Sequence, residues 1–315
     1  CGAQGVSFVV SLILARLLAP EVYGIVALIT VFTVILNLFV DSGLKNALIQ
    51  KKDADQLDFS TVFYCNVVLG LVLYAGMAAA APWIARFYQQ PELVPCIRVL
   101  SLTLVLGGVN GVQTAVVSKR MQFRRYFYAT LGGTLVSAVV GVAMAVMGYG
   151  VWALIAQRLV NQAIDTTILW MTVRWRPTWE FSLARLKPLF GYGSKILCSS
   201  LLDSLTGNVS GLLIGKLYTA DSLAYYDKGK NVPFFVIQNI QTAVQSVLFP
   251  VLAEEQEKIK RVRRILRQSI QVSVYCIVPC MVGIGVCARP LIRVLFTENW
   301  IAMAPFLQMW CFVCA

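Results

Sequence analysis

The feature that most limits what this chain can become is an apolar run of about twenty residues that recurs from one end to the other. A helix rises 1.5 Å per residue and the hydrocarbon of a bilayer is about 30 Å thick, so one such run suffices to cross it. Runs of this kind lie at 2–19, 23–40, 59–81, 94–118, 126–148, 151–173, 189–217, 232–252 and 270–288, and a tenth opens near Ile301. The residues A, V, I, L, M, F, W, Y and C make up 58% of the 315 positions, against 13% for D, E, K and R. With a mean hydropathy of +0.72, no soluble core could hide that much apolar surface. The expected fold class is an all-α integral membrane protein, a polytopic helical bundle of about nine to ten spans.

Proline marks the expected joins at Pro20, Pro82, Pro91, Pro177, Pro188, Pro233 and Pro290, and two joins, at Pro20 and around Tyr149, are short enough to make antiparallel hairpins. The chain opens on Cys1 with an apolar run already under way and stops at Ala315 inside another, so a frame cut at both ends is expected. The loops after the second, fourth, sixth and eighth spans hold three, four, five and six Lys or Arg residues, whereas the opposite side holds eight in all, among them Arg16, Arg86, Arg98, Lys216 and Arg293. Basic loops stay inside, so the N-terminus is expected to be cytoplasmic. Residues 254–268, EEQEKIKRVRRILRQ, are too charged to span and read as a cytoplasmic helix with its acids first and its bases last, as the helix dipole prefers.

Charge and chemistry exclude several classes. The net charge of +12 falls in short clusters between spans rather than on one face, so no nucleic-acid partner is expected. Histidine is absent, which removes the usual general base and the commonest metal ligand. Most of the nine cysteines sit inside apolar runs and read as small buried residues. No catalytic residue, metal site or cofactor is expected. The tryptophans concentrate near span ends, as in an interfacial belt.

The end of the first span repeats. ILARLLAPE, beginning at Ile13, lies on LIGKLYTAD, beginning at Leu213, at an offset of 200: Arg16 meets Lys216, Leu17 meets Leu217 and Glu21 meets Asp221. The expectation is two pseudo-repeated lobes of six spans, the first at 1–188 and the second, incomplete, at 189–315. Transporters are commonly built from such paired lobes.

LARLLAPEVYGIVALITVF, FVDSGLKNALIQ, the KRMQFRRY loop, the GYGVWAL turn and RWRPTWEFS together resemble the polysaccharide or lipopolysaccharide biosynthesis transporters of the multidrug/oligosaccharidyl-lipid/polysaccharide exporter superfamily. The likeness runs in order over essentially the whole chain. It implies a flippase that moves undecaprenyl-pyrophosphate-linked repeat units of O-antigen, capsule or exopolysaccharide from the cytoplasmic to the periplasmic leaflet of the bacterial inner membrane by alternating access. Its implied partners are the lipid-linked oligosaccharide, membrane lipids, and a polysaccharide polymerase or chain-length machinery. Such proteins carry twelve to fourteen spans, more than this chain has. A small-molecule exporter of the same superfamily and a membrane-embedded polymerase or lipid-sugar transferase are the alternatives.

A glycan crossing hydrocarbon needs polar groups inside spans, where each is costly and spacing of three or four residues sets them on one face. The seventh span carries Lys195, Ser199, Asp203, Thr206 and Ser210 in such a stripe. The sixth carries Arg158, Asn161, Gln162 and Asp165, with Arg158 and Asp165 placed to neutralise one another through the amides. Thr30, Thr33, Asn37 and Asp41 mark the second span, Gln238, Gln241, Thr242 and Gln245 the eighth, and Arg98, Asn110 and Gln113 the fourth. The candidate substrate path is therefore Arg158, Asn161, Asp165, Lys195, Ser199, Asp203, Arg98, Asn110, Gln113, Gln238, Gln241 and Gln245, with Asp203 and Asp165 as candidate ion-coupling carboxylates. Packing is the rival explanation for each stripe, because small and amide side chains also hold membrane helices together.

Overall fold

The computed structural model describes residues 2–41, 43–51, 53–254 and 259–315, with side chains described for these except at 2–3, 41, 123, 243, 245–247, 249–254 and 259–260. Thirteen α-helices and one 3₁₀ turn account for nearly all described residues: α1 Gly2–Leu17, α2 Pro20–Asp41, α3 Leu44–Gln50, α4 Gln56–Tyr88, α5 Leu93–Leu100, α6 Leu102–Lys119, α7 Phe123–Val146, α8 Val151–Thr172, α9 Leu183–Leu217, α10 Ala220–Glu254, α11 Ile259–Val286, α12 Ala288–Leu295, the 3₁₀ turn Glu298–Met303, and α13 Ala304–Cys314. No strand occurs among the described residues. An all-helical chain closes every backbone hydrogen bond within its own segment, which hydrocarbon demands.

Six stretches among the described residues are long and apolar enough to cross a membrane: Pro20–Gln50, Gln56–Tyr88, Leu93–Lys119, Arg124–Val146, Leu183–Leu217 and Arg261–Val286. α1 is shorter, while α8 and α10 have the length and fall outside that set because polar residues interrupt them. The protein is thus a multi-span membrane protein.

By contacts the chain divides into two compact units, Gly2–Ala220 and Asp221–Ala315. In the first, α7 and α8 form the hairpin expected at Tyr149, turning on Gly148 (φ 81°) and Gly150 (φ 54°), left-handed conformations that suit glycine. α4 packs on α6 so closely that a Cβ added at Gly108 would lie 2.6 Å from the Asn66 carbonyl oxygen, and one at Gly70 2.8 Å from that of Leu104. Small residues are what allow such approach. α9 packs on α2, α3 and α4 and belongs to this unit. In the second unit α11 packs on α13, and Tyr225 and Phe296 close on the fully buried Trp300.

The repeat at offset 200 coincides with element boundaries: α1 ends at Leu17 and α9 at Leu217, and α2 begins at Pro20 and α10 at Ala220. A second match lies between two short helices, LVPCIRVL of α5 and ARPLIRVL of α12. At an offset of 195 they share Pro, Ile, Arg, Val and Leu at 95, 97, 98, 99 and 100. Ile97 and Ile292 are fully buried in their own units, and Arg98 and Arg293 are exposed.

Several sequence expectations are corrected. Pro82, Pro188, Pro233 and Pro290 are not joins but lie inside α4, α9, α10 and α12. Membrane helices tolerate internal proline because neighbouring groups satisfy the freed carbonyl. The fourth span breaks at Ser101 into α5 and α6, where the Ser101 hydroxyl donates to the Ile97 carbonyl at 2.5 Å. Ile259–Gln268 is the first part of α11, continuous with the apolar stretch, rather than a helix of its own; 255–258 lie outside the described residues. Cys198, Cys276 and Cys280 are exposed, unlike buried Cys96 and Cys311, because their apolar runs face outward on long helices. Trp175 and Trp300 are packed inside, while Trp83 and Trp179 keep the exposure of a belt.

Candidate functional site

α8 is the polar hub of the first unit. Four of its polar residues, Arg158, Asn161, Gln162 and Asp165, lie within eight positions, and each reaches a different place. Arg158 Nη1 donates to Thr30 Oγ1 on α2 at 2.6 Å. Asn161 Nδ2 donates to Ser137 Oγ on α7 at 3.2 Å. Gln162 Nε2 donates to the Thr103 carbonyl on α6 at 3.1 Å. Asp165 Oδ2 accepts from Asn110 Nδ2, also on α6, at 3.0 Å. Asn37 of α2, whose amide donates to the Thr33 carbonyl, joins Gln162 over Gly107. Arg158 and Asp165 therefore do not neutralise one another: the arginine turns to α2 and the carboxylate to α6.

Beside this hub the interior holds acceptors in excess of donors. Asn66 on α4 is fully buried and, among the described residues, neither of its amide atoms is hydrogen-bonded and Asn110 Oδ1 and Gln113 Oε1 are buried without a partner. Gln113 uses its amide nitrogen on the Trp175 carbonyl at 3.4 Å. Each unmet group represents about 1–3 kcal/mol of uncompensated desolvation, so carboxylate and amide oxygens concentrated between α4, α6 and α8 make a place that favours water or a cation.

The other predicted residues stand elsewhere. Lys195, Ser199, Asp203, Thr206 and Ser210 are exposed along α9, and among the described residues none makes a side-chain bond outside its own helix. Arg98 is exposed at α5. Gln238 and Gln241 are exposed on α10, in the second unit, and the side chains of Gln245 and Asp41 lie outside the described residues.

Two features were absent from the sequence reading. One is Asn66, whose only signal is a lone amide in an apolar run. The other is a latch where the 173–182 strap between α8 and α9 lies on the start of α4. Asp55 and Asp58 form a capping box, each side chain accepting the other's backbone N–H. The wholly buried Asp58 carboxylate also pairs with Lys51 at 2.5 Å and Arg185 at 3.6 Å. The strap is stitched down by Gln56 Nε2 to the Arg176 carbonyl (2.6 Å), by Ser60 Oγ with Thr178 Oγ1 (3.0 Å), and by the Ser182 N–H to Thr61 Oγ1 (3.2 Å). Asp55 sits outside the hydrocarbon. Its carboxyl is held below its ordinary value first by the Asp58 backbone N–H, with the Arg185 and Lys51 charges adding. The Asp-x-x-Asp spacing was the sequence signal for the cap.

A long-helix bundle with a part-buried polar hub in its first unit defines a multi-span membrane protein. Residues 13–305 match the polysaccharide biosynthesis protein family, and the chain belongs to that family. The succinoglycan biosynthesis transport protein ExoT of Rhizobium meliloti is 27% identical over 308 residues, covering 98% of this chain and 62% of that protein. The lipopolysaccharide biosynthesis protein WzxC of Escherichia coli is 26% identical over 316 residues, 98% of this chain and 63% of that protein. The chain spans about three fifths of the length of these curated relatives. Among solved structures, the lipid II flippase MurJ in an inward closed conformation superposes with a TM-score of 0.75 at 10% identity, over 98% of this chain and 70% of that one. An inward-facing multidrug resistance MATE family transporter of the MOP superfamily gives 0.71 at 15%, over 97% and 75%. The fold is the one these transporters share.

Proposed function

We propose that the protein belongs to a flippase that carries lipid-linked oligosaccharide repeat units across a bacterial inner membrane, from the cytoplasmic to the periplasmic leaflet, without itself being an enzyme. The observation that carries the reading is the α8 hub: an exposed arginine, two part-buried amides and a part-buried carboxylate at helical spacing, each bonded to a neighbouring helix of a membrane bundle, where such groups are expensive. What the transport relatives are named for, succinoglycan and lipopolysaccharide, supports a glycan cargo.

In this reading the two lobes run from 1 to 188 and from 189 to 315, with nine to ten spans in all and the N-terminus inside; the coincidence of α1/α9 and α5/α12 supports the division. Arg158, Asn161, Asn110, Gln113 and Arg98 line the path from the first lobe. Lys195, Ser199, Asp203, Gln238, Gln241 and Gln245 line it from the second. Asp165, beside the unmet acceptors of Asn110 and Gln113, is the ion-coupling carboxylate of the first lobe and Asp203 that of the second. Cations accept the diphosphate and amides replace water on the sugars, while the lipid tail stays in the bilayer. A polymerase or chain-length protein would take the product on the far side.

The test is the leaflet distribution of lipid-linked repeat units in cells lacking the gene. Accumulation on the cytoplasmic face, reversed by restoring the gene, is expected; an unchanged distribution overturns the proposal. A small-molecule exporter shares the fold, but for cationic compounds acidic residues should dominate the hub, and here Arg158 stands in it.

A further inference from the structure

A groove of about 630 Å³ runs along the outer face of α4, lined by Tyr64, Cys65, Val68, Leu69 and Val72 and roofed by Trp179 and Phe181 from the strap. Its wall is almost wholly apolar yet open: Val68 is 59% exposed, Val72 61% and Trp179 97%. Exposed tryptophan at that level is a large unmet apolar surface, and on a membrane-spanning helix its natural cover is a hydrocarbon chain. Tyr64 stacks on Trp179 with ring centroids 6.3 Å apart, so the roof has a fixed place.

The groove's roof belongs to the strap stitched to the start of α4, and the stretch that carries it, Val173 to Pro188, holds Arg174, Arg176, Arg185 and Lys187 against a single acid, Glu180. Arg176 is committed to the carbonyls of Trp170, Val173 and Trp175, and Arg185 to Asp55 and Asp58. Arg174 and Lys187 are exposed and make no side-chain bond among the described residues. From this geometry we infer that the α4 groove and the basic strap form a binding site for an anionic phospholipid of the surrounding leaflet, its acyl chain under Trp179 and its phosphate on Arg174 and Lys187.

A resident lipid fits better than the transported one. Asn66 faces the interior from α4, fully buried, whereas the groove is lined by exposed Val68 and Val72 on the outward side. The inference stands apart from the proposed cargo.

The experiment reconstitutes the protein in phosphatidylcholine vesicles doped with chain-brominated phosphatidylglycerol or chain-brominated phosphatidylcholine. The fluorescence difference between the wild type and Trp179→Phe isolates Trp179. Brominated phosphatidylglycerol is expected to quench Trp179 at about thirtyfold lower mole fraction than brominated phosphatidylcholine, the preference that about 2 kcal/mol of attraction, about 1 from each of Arg174 and Lys187, confers. Arg174→Gln with Lys187→Gln should make the two lipids equal, and Val68→Phe, which fills the groove, should weaken quenching by both while circular dichroism stays unchanged. Equal quenching by both lipids in the wild type, or quenching untouched by Val68→Phe, overturns the inference. So does relief of the quenching by added polyprenyl diphosphate, which would assign the groove to the substrate.

Discussion

Asn66 has neither amide atom bonded and no exposure. Asn66→Leu, close in size and free of that desolvation, is expected to raise the thermal unfolding midpoint in detergent, by the equivalent of about 1–3 kcal/mol; a lower midpoint would show that the amide has a partner when folded. Asp165→Asn keeps an oxygen for the Asn110 amide, so stability should change by under about 1 kcal/mol. Transport in proteoliposomes should lose its dependence on the coupling ion; retained ion dependence would remove Asp165 from that role. Helical spacing made the α8 face legible, since Arg158, Asn161, Gln162 and Asp165 all turned out to engage neighbours. Their partners were not legible. Spacing of three and four says which residues share a face and nothing about which helix stands opposite, which is why an Arg158–Asp165 pairing was expected and Thr30 and Asn110 were found.

Between elements, backbone approach decides what can be substituted. Gly108→Ala would drive a methyl into the Asn66 carbonyl and is expected to destabilise by about 1–3 kcal/mol. Gly76→Ala, in the same α4–α6 region of the chain but with nothing within 4 Å of its added Cβ, should be neutral or stabilise by up to about 1 kcal/mol; paired melting curves decide, and equal effects would refute the close packing. In the latch, Asp58→Asn removes a buried carboxylate serving two cations and is expected to cost about 1–3 kcal/mol, whereas Arg185→Gln, half-exposed, should cost under about 1. Asp55 follows a definite sign. Its folded pKa is depressed, so its contribution is complete above the unfolded value near 3.9 and fades as pH falls through the lower folded value. Hydrogen exchange of the Asp58 amide should accelerate relative to its neighbours only in that acid range.

Across the whole chain, apolar run length carried the fold class because hydrocarbon leaves helices almost no alternative. Helix ends were less legible: α4, α9 and α10 run to 33, 35 and 35 residues, through prolines that read as breaks. Orientation is the property loop charge addresses directly. Single cysteines at Arg120 and Tyr149 should be labelled by a membrane-impermeant reagent only from inside and only from outside, respectively; the reverse pattern would invert the proposed topology. α4 alone is about 50 Å long, against about 30 Å of hydrocarbon, so part of it extends beyond the hydrocarbon, and at its start Asp55 and Arg185 are half-exposed while Asp58 is wholly buried. The Debye length falls from about 10 Å at 0.1 M to about 3 Å at 1 M. Added salt therefore weakens the half-exposed Arg185–Asp55 pair and leaves the buried Lys51–Asp58 pair nearly untouched, and the strap, held by neutral hydrogen bonds, keeps its place across that range.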